Sequence, residues 1–94
     1  MNLENKIVVV TGAGSGIGRA LVVRFKAEGA KHVVSVDINP ESAEQTADLI
    51  GDRSFEVDVS NESDVARLIK MTEEQVGPID LFCSNAGIGL GKDL

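Results

Sequence analysis

The sequence holds no tryptophan, no tyrosine, one cysteine and two prolines in 94 residues. Without tyrosine there is no phenol to act as a proton donor. The single Cys83 makes no internal disulfide and belongs to no metal-ligand pattern, and its apolar surroundings read as those of a small buried hydrophobe. Basic residues are few: 9 Lys and Arg stand against 15 Asp and Glu, a formal charge of −6. Nucleic-acid affinity comes largely from Lys and Arg neutralising phosphates, so a nucleic-acid partner is not expected. Any phosphate-bearing ligand must then be held mainly by backbone N–H groups. No apolar run approaches the ~20 residues of a membrane span, and residues 1–6 have neither the basic start nor the apolar core of a leader. A reducing cytoplasm is the expected compartment, and Asn61-Glu62-Ser63 reads as a helix start rather than a glycosylation site.

What the sequence has is glycine in one place. Residues 8–18 run Val-Val-Val-Thr-Gly-Ala-Gly-Ser-Gly-Ile-Gly, with glycines at 12, 14, 16 and 18. A β-branched apolar run leads in, and a helical pattern starts inside the motif. Glycine takes positive φ without penalty and lets a ligand approach the main chain. The resulting strand, turn and helix N-terminus presents amides at the positive end of a helix dipole, where a phosphate binds. A flexible loop would lack those flanks. A Walker A loop needs Lys and Ser/Thr at its end, and a nucleophile elbow needs Gly two residues on either side of Ser; neither condition is met around Ser15. Dinucleotide binding is the reading that remains.

The rest of the chain repeats the same unit. Residues 7–10 form a run apolar throughout, as a strand buried on both faces of a parallel sheet does. A helix over 16–28 is expected to bury Ile17, Ala20, Leu21 and Phe25, with Arg19 and Lys26 pointing elsewhere and Gly29 at its C-terminal end. A second strand over 32–36 stops at Asp37, with His32 in an exposed or capping role. Asn39 and Pro40 open a second helix as N-cap and first residue; Ala43, Ala47 and Ile50 face inward, and Glu41, Glu44 and Asp48 face solvent. A third strand spans 54–57. Ser60 is expected to cap a third helix with Val65, Leu68, Ile69, Thr72 and Val76 buried, stopped by Gly77-Pro78. A fourth strand spans 80–84, followed by Asn85-Ala86-Gly87. Short connections demand right-handed parallel crossovers, giving an α/β fold: a Rossmann-type, doubly wound parallel sheet, first half only, of order 3-2-1-4.

Three markers fall at strand C-terminal ends. Asp37, nineteen residues after Gly18, stands where an acidic residue accepts from the adenine-ribose hydroxyls and repels the 2′-phosphate of NADP. NAD is therefore favoured over NADP. The plain alternative is that Asp37 begins the turn into Asn39-Pro40. Asp58 either accepts from an adenine amino group or punctuates a strand end, and the residues leave both open. Asn85 bonds the neighbouring backbone or a ribose, and Gly87 lets the chain pass close to a cofactor.

Thr11-Gly12-Ala13-Gly14-Ser15-Gly16-Ile17-Gly18 matches the TGxxxGxG fingerprint of the short-chain dehydrogenase/reductase family, and Asp58-Val59 and Asn85-Ala86-Gly87 resemble that family's second and third cofactor-side motifs. The resemblance covers essentially the whole chain. It implies that Gly12, Ser15, Ile17 and Gly18, with Gly14 and Gly16, surround a pyrophosphate and ribose; that Asp37 holds the adenine ribose; that Asp58 and Val59 meet the adenine; and that Asn85, Ala86 and Gly87 border the nicotinamide half. Ser84 departs from the pattern, since many members carry a second asparagine there. The family's catalytic Ser and Tyr-x-x-x-Lys fall beyond residue 94, and Lys92 has Ile88, not tyrosine, four residues before it.

The chain thus reads as residues 1–94 of a single NAD(P)-binding Rossmann domain, its N-terminal part, with the remainder absent from this chain. An NAD-dependent oxidoreductase acting on an alcohol or carbonyl, as a homodimer or homotetramer, is what the resemblance implies. The other readings are a catalytically inactive dinucleotide-binding or interaction module, and a protein that kept the fold and lost the ligand. The unpaired outer edge expected for the fourth strand makes the 94 residues alone marginal or prone to associate.

Overall fold

The computed structural model of the chain describes residues 2–85. Seven elements alternate: β1 (Ile7–Thr11), α1 (Gly16–Ala27), β2 (His32–Asp37), α2 (Pro40–Ile50), β3 (Ser54–Glu56), α3 (Glu62–Gln75) and β4 (Leu81–Ser84). They form one four-stranded sheet in the order β3-β2-β1-β4, with all three pairings parallel. The register levels the strand C-terminal ends: Thr11 lies opposite Val36 and Ser84, and Asp37 opposite Glu56. The three strand-to-helix connections, and Asn85 just past β4, therefore lie along one edge of the sheet, and the candidate site is there.

The central strands are buried because their side chains are apolar on both faces. Val8, Val9, Val10, Val33, Val34 and Val36 expose no surface. Each such side chain contributes about 1.5–3 kcal/mol relative to exposure. On one face Val8, Val10 and Val33 pack with Val22 of α1 and with Leu21, Phe25 and Ile50. On the other, Val9, Val34 and Val36 pack with Leu68 of α3, Val57 and Phe82. Helices thus cover both sides of the sheet, as double winding requires.

Helix ends follow local chemistry. Asn39 caps α2 by accepting from the Ser42 N–H at 3.1 Å, with Pro40 at the first position. The end of α2 reverses at Gly51 in the left-handed region, φ 67°. α1 ends at Glu28, and Gly29 follows at φ 100°. No helix among the described residues is long and apolar enough to cross a membrane.

The buried faces of α1 and α3 differ from expectation. In α1, Gly18 and Val22 are buried, whereas Ile17 is 64% exposed and Ala20 lies on the surface. The reason is Gly18: with no side chain it brings the start of the helix onto the β1 turn, and Val22, four residues on, shares its face. In α3, Leu68 and Thr72 are buried, but Ile69 is exposed and Val65 and Val76 are half-buried. That helix lies over the central strands β1 and β2 and buries only a narrow stripe, Leu68 and Thr72. Its cap is Asn61, whose side chain accepts from the Asp64 N–H at 3.1 Å, and not Ser60. Ser60 instead donates both its N–H and its hydroxyl to Asp58 Oδ1.

Candidate functional site

The glycine turn begins where β1 ends. Gly12 turns the chain at φ 66°, and the Ala13 N–H donates to the Val36 carbonyl at 2.9 Å, which ties the turn to the neighbouring strand. Gly16 starts α1 at φ 56°, a conformation that disfavours any side chain even though nothing lies within 4 Å of where a Cβ would stand. The other two glycines are required for close approach. A Cβ at Gly14 would lie 2.6 Å from Ser42 Cβ and 2.7 Å from Asp37 Oδ2. At Gly18 it would lie 1.9 Å from the Gly12 carbonyl oxygen and 2.8 Å from Asn85 Nδ2.

The amides of Gly16, Ile17 and Gly18 form the first turn of α1, and Ser15, the N-cap, makes no side-chain bond to them. Among the described residues these three donors, like the Ser15 N–H, have no acceptor. They sit at the positive end of a twelve-residue helix, with open space beside Gly16.

Asp37 ends β2 and is held on both oxygens. Oδ2 accepts from the Gly14 N–H at 2.8 Å, and Oδ1 accepts from the Asn39 N–H at 3.0 Å. The turn into Asn39-Pro40 and the contact with the glycine turn thus coexist in one carboxylate. Each oxygen retains lone-pair capacity for a further donor.

Asp37 shares a cleft of about 160 Å³ with Gly12, Ile38, Val57, Asp58, Val59 and Ser60. Sites for whole drug-sized ligands run to roughly 300–1,000 Å³, so this one has the size of a single flat ring. Asp58 Oδ1 is engaged by Ser60, and its N–H donates to Asp64 Oδ2 at 3.0 Å. The two bonds from Ser60 hold the Asp58 carboxyl below its usual 3.8, against a smaller upward push from burial. Ile38 is 63% exposed and is one wall of this cleft. Sequence reasoning missed Ile38 and Ser60, although an apolar residue directly after the strand-end carboxylate was a usable signal.

Asn85, just past β4, is buried and couples that strand to the turn. Its N–H donates to Thr11 Oγ1 at 3.0 Å, and its Nδ2 donates to the Gly12 carbonyl at 3.4 Å. Ala86 and Gly87 lie outside the described residues. Arg19, expected to point away, is half-buried and crosses to α2: its Nε donates to Thr46 Oγ1 at 2.8 Å and its Nη2 to the Gly14 carbonyl at 2.7 Å. Cys83 is half-buried against the α1 side of the core. Among the described residues no group of three or more His, Cys, Asp or Glu is arranged to hold a metal.

The structure therefore brings Gly12, Asp37, Asp58 and Val59 to one cleft and Ser15, Gly16, Ile17 and Gly18 to one donor cluster, with Gly14 joining the two through Asp37. The chain is 43% identical over 91 residues to short-chain dehydrogenase reductase 3c of Arabidopsis thaliana, covering 94% of this chain and 35% of that protein. Its structure resembles hydroxysteroid dehydrogenase from Escherichia coli, with a TM-score of 0.83, 33% identity, and coverage of 92% of this chain and 38% of the other. It also resembles a structure described as ribose-5-phosphate isomerase from Brucella melitensis 16M, with a TM-score of 0.86, 32% identity, and coverage of 92% and 33%. The chain spans about a third of the length of the curated relatives it matches. The short chain dehydrogenase family model matches residues 6–94, and with the glycine turn and strand order already in place, the chain belongs to that family.

Proposed function

We propose that these residues form the NAD-holding part of an oxidoreductase that moves a hydride between a nicotinamide cofactor and an alcohol or carbonyl substrate. The observation that carries this reading is the Asp37 carboxylate, fixed by the Gly14 and Asn39 amides at the mouth of a ring-sized cleft. The residues present fit the cofactor. Gly14 and Gly18 occupy positions where a side chain would collide, and the first amides of α1 lack acceptors among the described residues.

Ser15, Gly16, Ile17 and Gly18 donate N–H groups to the diphosphate, and the helix dipole adds to the attraction. Asp37 accepts from the adenine-ribose hydroxyls with the lone pairs that Gly14 and Asn39 leave open. Asp58 and Val59, with Ile38, border the adenine ring. Asn85 borders the nicotinamide half. When bound, the nicotinamide ring supplies or receives the hydride.

Asp37 also sets the preference for NAD. Two unit charges 4 Å apart repel by about 1 kcal/mol in water and about 4 kcal/mol at a protein surface, so a 2′-phosphate is disfavoured by at least several-fold. Arg19 is the nearby positive charge, and its Nε and Nη2 are directed to Thr46 and Gly14 rather than to a 2′-phosphate. Residues 1–94 form the N-terminal part of one domain, and we place the whole protein in the cytoplasm as a homo-oligomer, in line with its family.

Calorimetric titration of the full natural protein with NAD and NADP tests the reading. Saturable binding with NAD preferred is the expected result. No binding of either, or tighter binding of NADP, overturns it.

A further inference from the structure

The two peptides at the head of the glycine turn are held differently. The Ala13–Gly14 peptide is fixed at both ends: its carbonyl accepts from Thr46 Oγ1 at 2.7 Å, and its N–H donates to Asp37 Oδ2 at 2.8 Å. The Gly14–Ser15 peptide is fixed at one end. Its carbonyl accepts from Arg19 Nη2 at 2.7 Å, while its N–H, that of Ser15, has no acceptor among the described residues.

A trans peptide is planar, with carbonyl and N–H pointing in opposite directions. The guanidinium that holds the Gly14 carbonyl therefore also aims the Ser15 N–H, toward the side away from Arg19. Arg19 is itself held. Its Nε donates to Thr46 Oγ1 at 2.8 Å, and Nη2 reaches Gln45 Oε1 at 3.4 Å. Thr46 exposes no surface, and its one hydroxyl proton goes to Ala13 at 2.7 Å in preference to Ser42 at 3.2 Å. That leaves a lone pair facing Arg19 Nε. Two adjacent carbonyls of the turn are thus drawn toward α2 by one buried hydroxyl and one forked guanidinium.

We propose that Arg19, anchored through Thr46, is a positioning residue for diphosphate binding, which sets the Gly14–Ser15 peptide so that the Ser15 N–H joins the amides of Gly16, Ile17 and Gly18 in facing the ligand. The inference rests on the dinucleotide reading above. Lysine does not replace this arginine, because a single ammonium lacks the planar fork that reaches Thr46 and Gly14 together.

The test titrates the full natural protein, and its Arg19→Met, Arg19→Lys, Thr46→Val and Thr46→Ser variants, with ADP and with adenosine. Adenosine carries the ring and ribose but no phosphate. Arg19→Met, Arg19→Lys and Thr46→Val are expected to lose ADP affinity by about tenfold, the scale of one charge-assisted hydrogen bond, while adenosine affinity changes by less than about twofold. Thr46→Ser keeps the hydroxyl and should bind ADP as the natural protein does. Equal losses for both ligands would mean a merely structural role and overturn the proposal. So would a loss in the Arg19 variants with none in Thr46→Val, which would put the guanidinium on the diphosphate itself. Natural protein that binds ADP alongside variants that bind it equally well overturns this inference alone. Natural protein that binds neither ligand overturns the dinucleotide reading and this inference with it.

Discussion

Asp37 and the glycines around it carry the most specific expectations at the scale of single residues. Replacing Asp37 with Ala removes the charge that opposes a 2′-phosphate, and the ratio of NADP to NAD dissociation constants should narrow by several-fold, measured by titration of both cofactors. The glycines should separate by mechanism. Gly18→Ala places a Cβ 1.9 Å from a backbone oxygen that cannot swing aside, so a stability loss at or above the roughly 1–3 kcal/mol of ordinary overpacking is expected, with weakened NAD binding. Gly16→Ala meets open space and bears only the left-handed backbone penalty of about 1–2 kcal/mol. Chemical denaturation of the two variants checks the order, and equal losses would contradict it. The Asp58 carboxyl, held low mainly by the Ser60 hydroxyl and then by its amide, adds stability that is complete above pH 3.8 and is lost as pH falls through its lowered folded value. Ser60→Ala removes the larger cause, so the Asp58 midpoint in an NMR carboxyl titration should move up toward 3.8.

The α3 helix shows at the scale of the element how local pattern and packing divide the work. Its N-terminus was legible as a cluster of Ser, Asn, Glu and Asp, but which side chain caps it depends on backbone direction. Asn61 has the extended backbone of a cap and accepts from Asp64, whereas Ser60 lies one residue earlier, folded onto Asp58. Asn61→Ala should therefore cost about 1 kcal/mol in thermal or denaturant unfolding, and Ser60→Ala less. The buried stripe makes a second contrast. Leu68 exposes nothing and packs against Val9, Val34 and Val36, so Leu68→Ala should cost about 2–5 kcal/mol. Ile69 is 38% exposed, and Ile69→Ala should stay within about 1 kcal/mol. A helical wheel does not distinguish the two positions, because adjacent residues both fall within a wide apolar arc, and only the sheet beneath selects one of them.

The site, at the scale of the whole molecule, is a product of parallel topology. Because β1, β2, β3 and β4 run the same way in register, the glycine turn, Asp37, Asp58 and Asn85 emerge along one edge, although Thr11 and Asn85 lie 74 positions apart in sequence. A ligand that bridges elements in this way binds the folded state alone. NAD at 100 times its dissociation constant should therefore stabilise the full natural protein by about 2.7 kcal/mol, read as a raised melting temperature. The sequence by itself determined the alternation of strands and helices, the parallel crossovers, the glycine turn and the strand-end carboxylates, because each follows from periodicity, turn chemistry or short crossover length, and the order 3-2-1-4 followed once the doubly wound arrangement was adopted. Only the tertiary structure decided that Val22 and not Ile17 enters the core, that Gly14 yields its amide to Asp37 and its space to Ser42, and that Arg19 is locked onto Thr46. Those contacts join residues of different elements, and no local pattern encodes which atoms meet once the chain has crossed over and packed.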